Sequence, residues 1–334
     1  MDLPDDLSTA LDDELDGAGI RRLAHAVKDL SGRYRRADRG EPLLRTADDA
    51  TAYAAFRLPA TFGAVAATLA QCRARLDGFE PHSMLDVGAG LGTAAWAAAA
   101  AWPSIESVTL VERDAHMIGL GQRLCAQAGS EALRRARWVR ADIAAGLPDG
   151  SYDLAVAAYS LGELGPEAFA RALRSLWERT AGLLVVVEPG TPAGFARIRR
   201  ARDWAIEAGA HVVAPCPHAT ACPMAEGDWC HFAARVARSR RHREAKGGEL
   251  AYEDEKFSFI SVARQAGTAI HGRIVRHPQT RPGHIRLTVC SPDGLTESVV
   301  TRSQKQRFRA ARDLKWGADL PWPASHDPRG APDA

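Results

Sequence analysis

The sequence predicts an α/β protein built around a doubly wound, largely parallel sheet. The short apolar run at residues 84–87 is followed by glycines at 88, 90 and 92 and then by an alanine-rich segment. This order of strand, glycine turn and helix opens a doubly wound domain. From there to about residue 210, strand-like and helix-like patterns alternate, as expected for parallel strands joined by helices.

The elements of this domain follow one another with short connections. After the strand at 84–87 and the helix from 94, strands are predicted at 107–112, 137–141, 152–160 and 183–188, with helices at 115–128, from Pro166 and at 193–208. We therefore predict residues 81–210 as one domain. The preceding residues 1–80 show helical spacing at 17–36, 47–57 and 60–76, with Pro59 as a break, and are predicted as a helical unit.

Composition narrows the class of protein. The 334 residues are 46% hydrophobic and 25% charged, which is ordinary for a globular chain with a large core. The chain has neither a long apolar run nor an apolar N-terminal segment, so we expect no membrane span and no secretory signal. Six cysteines in such a chain favour metal ligands or core thiols over disulfides. We expect a cytoplasmic protein, with a monomer favoured.

Charge is unevenly distributed along the chain. The net charge is +2, yet residues 1–16 carry seven acidic side chains and no Lys or Arg. Residues 273–316 carry ten Lys or Arg and three acidic side chains. This asymmetry indicates that the C-terminal part binds a polyanion.

The glycine turn resembles motif I of class I S-adenosylmethionine (SAM)-dependent methyltransferases, which have a Rossmann-like sheet. Asp86 ends the strand just before Gly88, Gly90 and Gly92, and Thr93 occupies the position where a dinucleotide fingerprint would have glycine. The resemblance implies that Asp86 faces the amino-acid end of the ligand. The glycines would let the ligand approach the backbone closely.

Two further acidic residues end neighbouring strands. Glu112 ends the second strand and can accept hydrogen bonds from both ribose hydroxyls. Asp142 ends the third, where methyltransferases often contact the adenine amino group. Tyr159, at the end of the fourth strand, is predicted to line the same pocket. The sequence after that strand lacks the Asn/Asp-Pro-Pro-aromatic motif of amino-methylating enzymes, so no catalytic residue is identified.

Four cysteines stand in polar, proline-containing segments. Cys216, Cys222 and Cys230 follow a predicted strand at 211–214, and Cys290 comes much later. Structural zinc prefers shorter spacing between ligands, and cysteine–proline steps recur at iron–sulfur ligands. The chemistry slightly favours iron–sulfur, and it leaves zinc open, with His218 or His231 as further ligands.

The combination of Pro-Cys-Pro-His, Ala-Cys-Pro-Met and Asp-Trp-Cys-His-Phe after a SAM-type fold resembles the Rsm-type family. These are methyltransferase-like proteins associated with the small ribosomal subunit, known from mitochondria and bacteria. The resemblance runs from about residue 53 to 321. It implies a four-iron, four-sulfur cluster on Cys216, Cys222, Cys230 and Cys290, and work on ribosome assembly or translation.

The remainder is predicted as a cysteine-ligated, β-rich, basic unit at 211–321 and a disordered tail at 322–334. Strands are expected at 257–263, 272–276, 284–289 and 297–301, after a helical or disordered basic stretch at 235–246.

The leading functional hypothesis is a SAM-binding iron–sulfur protein that associates with the small ribosomal subunit and its RNA and acts in ribosome assembly or translation; whether it also methylates that RNA is left open. The alternatives are a non-catalytic assembly factor, and a small-molecule methyltransferase with a structural zinc site.

Overall fold

The computed structural model describes residues 2–18, 46–237 and 252–324. In chain order, the helices are α1 (Asp5–Ala18), α2 (Ala47–Arg73), α3 (Thr93–Ala101), α4 (Ala115–Ala126), α5 (Glu131–Arg134), α6 (Pro166–Glu178), α7 (Pro192–Glu207) and α8 (Lys305–Ala311). The first eight strands are β1 (Ser83–Val87), β2 (Ser107–Glu112), β3 (Arg137–Arg140), β4 (Tyr152–Ala158), β5 (Thr180–Pro189), β6 (His211–Ala214), β7 (Phe232–Ala237) and β8 (Tyr252–Ala263). The last four are β9 (Arg273–Ile274), β10 (Gln279–Arg281), β11 (His284–Ser291) and β12 (Gly294–Thr301).

The central sheet confirms the predicted α/β architecture. Its strand order is β3-β2-β1-β4-β5-β8-β6, and β7 pairs with β8 outside this path. Strands β1 to β5 pair in parallel, whereas β8 runs antiparallel to β5, β6 and β7. After β3 the chain crosses to β4, on the other side of β1, so the strand order reverses between β1 and β4. This switch point is where ligands bind in doubly wound folds.

Helices cover both faces of this sheet. One core joins α1 to α5 to the first face, and a second joins α6 and α7 to the opposite face. Because the strands are buried on both faces, they are almost continuously apolar: Leu183–Val187 of β5 is buried throughout.

Two predictions around β7 and β8 are corrected. Residues 257–263 form a strand as predicted, but within β8 this segment lies in the central sheet, between β5 and β6, and not in a separate β-rich unit. All seven of these residues are buried, as an interior strand requires. Residues 235–237, predicted as helical or disordered, belong to β7, and the rest of that basic stretch lies outside the described residues.

Helix α2 continues through Pro59, where the sequence predicted a break. Proline removes one backbone donor. However, Pro59 is buried, and α2 packs against α3, β7 and β8, so tertiary packing outweighs the lost bond. A capping box of Thr46 and Asp49 begins the helix. The helix predicted at 17–36 lies almost wholly outside the described residues.

The C-terminal residues form a second, four-stranded sheet with its own small core. Its order is β10-β11-β12, with β9 on β11. Ile274, Leu287 and Val300 are among its core residues, and Phe308 of α8 packs against them. The sequence predicted most of these strands and did not predict α8.

Candidate functional site

The predicted ligand-binding acids lie along one edge of the central sheet. Asp86, Glu112 and the residues around Asp142 end or follow β1, β2 and β3, which are adjacent and parallel. The carboxyl ends of parallel strands meet at one edge, so the fold brings these positions together beside the switch point between β1 and β4.

The glycine turn has a backbone that only glycine adopts freely. Gly88, Gly90 and Gly92 have φ of 70°, 57° and 77°. The N–H groups of Gly88 and Ala89 both donate to the Val111 carbonyl, at 2.9 and 3.0 Å, which ties the turn to β2. A Cβ on Gly88 would lie 2.2 Å from the Cβ of Ser160, so the turn also touches the segment after β4.

Asp86 places a carboxyl group beneath this turn. The residue is 1% exposed, and its Oδ2 has no hydrogen-bond partner among the described residues. Burial raises the pKa of Asp86 to about 7, with a smaller contribution from the charge of Glu112, while a hydrogen bond from the Ala95 backbone opposes the shift. A buried acceptor without a partner is suited to a cationic ligand group.

Glu112 holds the turn and the start of the next helix. Its Oε2 accepts the Gly90 N–H at 2.8 Å, and its Oε1 accepts the N–H groups of Arg113 and Asp114 at 2.8 and 2.9 Å. An ionised carboxylate has about four acceptor sites, so capacity for a ligand hydroxyl remains. Asp142 accepts the Ala144 N–H at 2.8 Å and caps a single helical turn at Ile143–Ala145.

Tyr159 belongs to a cluster that sequence reasoning did not foresee. Its φ of 57° is rare for a non-glycine residue, and such strained backbones concentrate at functional sites. The hydroxyl donates to Glu255 Oε1 at 3.0 Å, and Arg57 donates to both oxygens of Glu255 at 3.0 and 3.2 Å. Arg57 and Glu255 are 198 positions apart, so no local motif connects them.

A cavity on another part of the molecule brings the four predicted metal-ligand cysteines together. Cys216, Cys222, Cys230 and Cys290 all line it, with apolar walls that include Phe195 and Met224. The other two cysteines, Cys72 and Cys125, are buried elsewhere in the core around α2 to α4.

Burial controls the chemistry of these thiols. Desolvation raises the pKa of Cys216 and Cys230, and raises that of Cys290 to about 12. The Cys290 sulfur lies 3.6 Å from His218 Nε2. Across the described ranges, no group of three or more Cys, His, Asp or Glu side chains is arranged to hold a metal ion. The cysteines are thus neighbours around one cavity, and a shared metal stays a prediction.

The predicted basic surface is smaller than its sequence suggested. Arg273 is 3% exposed and pairs with Asp319, and Arg276 is half-buried and pairs with Asp228. The exposed cations are Arg281, Arg286, Arg302, Lys305, Arg309, Arg312 and Lys315. Trp316, in the same segment, packs against His231 and His277.

This chain is similar in sequence to mitochondrial proteins of the small ribosomal subunit and of ribosome assembly. A family model described as mitochondrial small ribosomal subunit Rsm22 matches residues 47–321. The human ribosome assembly protein METTL17, mitochondrial, is 32% identical over 302 residues, which cover 84% of this chain and 65% of the human protein. The mitochondrial Rsm22-cox11 tandem protein 2 of Schizosaccharomyces pombe is 26% identical over 296 residues, covering 71% of this chain and 38% of the yeast protein.

Among solved structures, magnesium protoporphyrin IX methyltransferase from Synechocystis PCC 6803, with bound SAM, matches with 13% identity and a TM-score of 0.41. The match covers 70% of this chain and 90% of that one. The strand order β3-β2-β1-β4-β5 described above is that of a doubly wound, Rossmann-like sheet.

The cytoplasmic location predicted from the sequence is wrong. The matched family and the human and yeast relatives are all described as mitochondrial. The absence of an apolar N-terminal segment, on which the prediction depended, addresses secretion and leaves other destinations open. None of the helices in the described part of the chain combines the length and the apolar character that a membrane crossing needs.

Proposed function

The chain belongs to the Rsm22 family of mitochondrial small ribosomal subunit proteins, and from this membership we propose that it acts in assembly of the small ribosomal subunit. The observation that carries this proposal is the extent of the family match. Residues 47–321 include the central sheet, the cysteine cavity and the C-terminal sheet, so all three lie within the matched region. The human relative is named as a ribosome assembly protein.

We propose that the carboxyl edge binds SAM. The positive charge of the ligand's amino-acid end is matched by the unpaired, buried Oδ2 of Asp86. Gly88, Gly90 and Gly92 would let the ligand approach the protein backbone closely, and Glu112 has acceptor capacity for ribose hydroxyls. Asp142 and Tyr159 complete the proposed site at the ends of β3 and β4.

We propose that Cys216, Cys222, Cys230 and Cys290 hold a four-iron, four-sulfur cluster, with zinc as the alternative. Support comes from the chemistry of the four cysteines, which line one cavity; since the described side chains are not arranged to hold a metal, binding would have to draw the sulfurs together. When bound, such a cluster supplies a cross-link between distant segments of the chain. The cavity's cysteines come from the loop after β6 and from β11, so metal binding would tie the central sheet to the C-terminal sheet.

A specific observation favours a binding role over methyl transfer. The two side chains that follow β4 are already engaged: Tyr159 donates its hydroxyl to Glu255, and Ser160 donates its own to the Val87 carbonyl at 2.8 Å. Both hydroxyls are therefore occupied within the protein and are not directed towards a methyl-acceptor substrate. A non-catalytic assembly factor is therefore the second candidate function.

Cells with and without the protein distinguish the two candidates. If the protein acts in assembly, its loss will reduce mature small subunits in sucrose gradients and leave precursors. A modification map of small-subunit RNA will show a missing methyl group only if the protein is also an enzyme. Unchanged small-subunit profiles would refute the assembly proposal.

The metal proposal is tested on the full chain purified without oxygen. We expect about four iron atoms per chain. Serine at any one of positions 216, 222, 230 and 290 should lower the iron content and soluble yield. Alanine at Cys72 or Cys125, which lie outside the cavity, should leave the iron content unchanged. Stoichiometric zinc without iron would support the alternative metal, and protein without either metal would contradict a metal site.

A further inference from the structure

Three buried arginines surround the loop that carries Cys216. Arg75, Arg202 and Arg273 are each 3% exposed, and they come from the turn after α2, from α7 and from β9. Arginine is almost never fully buried unless it is paired. The convergence of three such side chains from distant parts of the chain therefore needs a physical reason.

Part of the reason is hydrogen bonding to the loop backbone. Arg202 Nη2 donates to the carbonyls of His218 and Thr220 at 3.0 and 2.6 Å, Arg75 Nη1 donates to that of Val213 at 2.7 Å, and Arg273 Nε donates to that of Pro215 at 3.0 Å. These bonds hold the segment at 213–220 in place. They require donors, and neutral donors would serve the same purpose.

The charges of the three side chains are only partly compensated. Their ion pairs in the described residues involve two carboxylates: Asp203 with Arg202, and Asp319 shared by Arg75 and Arg273. Both carboxylates are screened by solvent, with side chains 51% and 40% exposed. Arg202 Nε and Arg273 Nη2 have no hydrogen-bond partner in the described residues. Buried charge without a counter-charge costs several kcal/mol per ion.

The cysteine cavity adjoins these arginines. All three guanidinium groups lie close enough to Cys216 for a charge on its sulfur to act on them. Arg202 itself lines the cavity with the four cysteines. Neutral thiols carry no charge to balance these groups. Four thiolates around a metal centre are net negative, because their charge exceeds that of a zinc ion or a cluster core.

We propose that Arg75, Arg202 and Arg273 form a cationic cradle, which stabilises a net-anionic metal–thiolate centre in the cysteine cavity. This inference rests on the metal site proposed above. The arginines are positioning and charge-compensating residues, and they do not ligate the metal. The cradle also explains why Arg273, which the sequence assigned to a basic surface, is buried.

Two substitutions at one position separate charge from hydrogen bonding. Arg202→Lys keeps the positive charge, and Arg202→Gln keeps a donor but removes the charge. In full-length protein loaded with iron and sulfide without oxygen, we expect R202Q to lose its iron to a chelator about tenfold faster than the wild type or more. Its midpoint potential should shift to a more negative value, because a lost cation favours the oxidised cluster. R202K should remain near the wild type in both measurements.

The matched control is Arg264→Gln. The Arg264 guanidinium also donates to backbone carbonyls, of Thr180 and Trp177, but it lies away from the cysteine cavity. This variant should retain iron as the wild type does. If R202Q does not fold, as judged by circular dichroism, the same comparison is made with Arg273→Gln and Arg273→Lys.

Equal iron loss from the Gln and Lys variants would show that only the hydrogen bonds matter, and it would overturn the cradle. Wild-type retention and potential in R202Q would overturn it as well. In both cases the loaded wild-type protein would still support the metal site. A wild-type chain that binds no metal would instead refute the metal site itself, and the cradle with it.

Discussion

At the scale of single residues, Asp86 has a carboxyl group that is 1% exposed at the end of β1. Burial raises its pKa to about 7, above the ordinary value of about 3.9 for aspartate. The folded protein therefore binds a proton here more tightly than the unfolded chain does. The resulting stabilisation is fully present below about pH 4 and is lost as the pH rises through about 7.

Asp86→Asn should remove this pH dependence, because asparagine does not titrate. Between pH 5 and 7, the free energy of unfolding of the wild type should fall by about 2–3 kcal/mol relative to the variant. Urea unfolding at several pH values measures the difference. SAM affinity of the wild type should rise over the same interval, because the ligand's ammonium group favours the ionised carboxylate. Parallel stability curves for the two proteins would contradict the assignment.

Gly88 is constrained both by its backbone conformation and by its neighbour Ser160. Gly88→Ala should abolish SAM binding and lower the free energy of unfolding by about 2–3 kcal/mol, because the new Cβ would lie 2.2 Å from Ser160 Cβ. Gly78→Ala is the control: its φ is also 70°, but a Cβ there meets nothing within 4 Å. It should cost only about 1 kcal/mol of backbone strain.

Relief of the contact tests this explanation of the Gly88 result. Adding Ser160→Gly to Gly88→Ala removes the clashing atom and should recover part of the lost stability. If calorimetry and unfolding show no difference between the single and the double variant, the close contact is not the cause.

At the scale of elements, the Arg57–Glu255 ion pair joins helix α2 to strand β8 above the carboxyl edge. The ring of Tyr159 lies under the Arg57 guanidinium, 5.5 Å from ring centroid to carbon, so the end of β4 is part of the same contact. Three elements that are distant in sequence are thereby held around the proposed ligand site. The strained backbone at Tyr159 is stabilised by this contact.

Arg57→Ala should therefore loosen α2 from β8. We expect a loss of about 1–2 kcal/mol in the free energy of unfolding, because Glu255 loses both hydrogen bonds from Arg57 and the Tyr159 ring loses the guanidinium above it. Hydrogen exchange should increase in α2 and at the end of β4. As the control, Arg235→Ala removes a solvent-exposed ion pair with Asp254 between β7 and β8, and should change exchange very little. Similar exchange in both variants would refute the special role of Arg57.

At the scale of the whole molecule, the exposed cations of the C-terminal sheet and α8 provide the candidate RNA surface. Arg302, Lys305, Arg309 and Arg312 are exposed together on and around α8. Phosphate contacts by such side chains release counterions, and binding then depends steeply on salt. If these side chains were only a solvated surface, replacing them would not change RNA binding or its dependence on salt.

Glutamate at these four positions should release the protein from small-subunit precursors in sedimentation without altering SAM binding. If about five phosphates are neutralised, the wild-type affinity for small-subunit RNA should fall by roughly two to three orders of magnitude between 50 and 200 mM salt. The control replaces Arg135, Arg137, Arg171 and Arg174, also exposed, with glutamate and thus changes the net charge equally. If both variants bind equally well, RNA recognition lies elsewhere.

The sequence alone determined the features that depend on neighbouring residues. The glycine turn, the acids at strand ends and the parallel order of β1 to β5 follow from apolar runs, glycine positions and strand–helix alternation, which are local properties. The four cysteines were identified from their spacing and their proline neighbours. The structure added that they line one cavity.

Only the tertiary structure decided which distant residues meet. The entry of β8 into the central sheet, the pairing of Arg57 with Glu255 and the burial of Arg75, Arg202 and Arg273 have no signature in sequence spacing. A charged residue in a basic segment has the same local pattern whether it faces solvent or a cavity. Its environment is set by the packing of elements hundreds of positions apart, where burial and charge compensation override local preference.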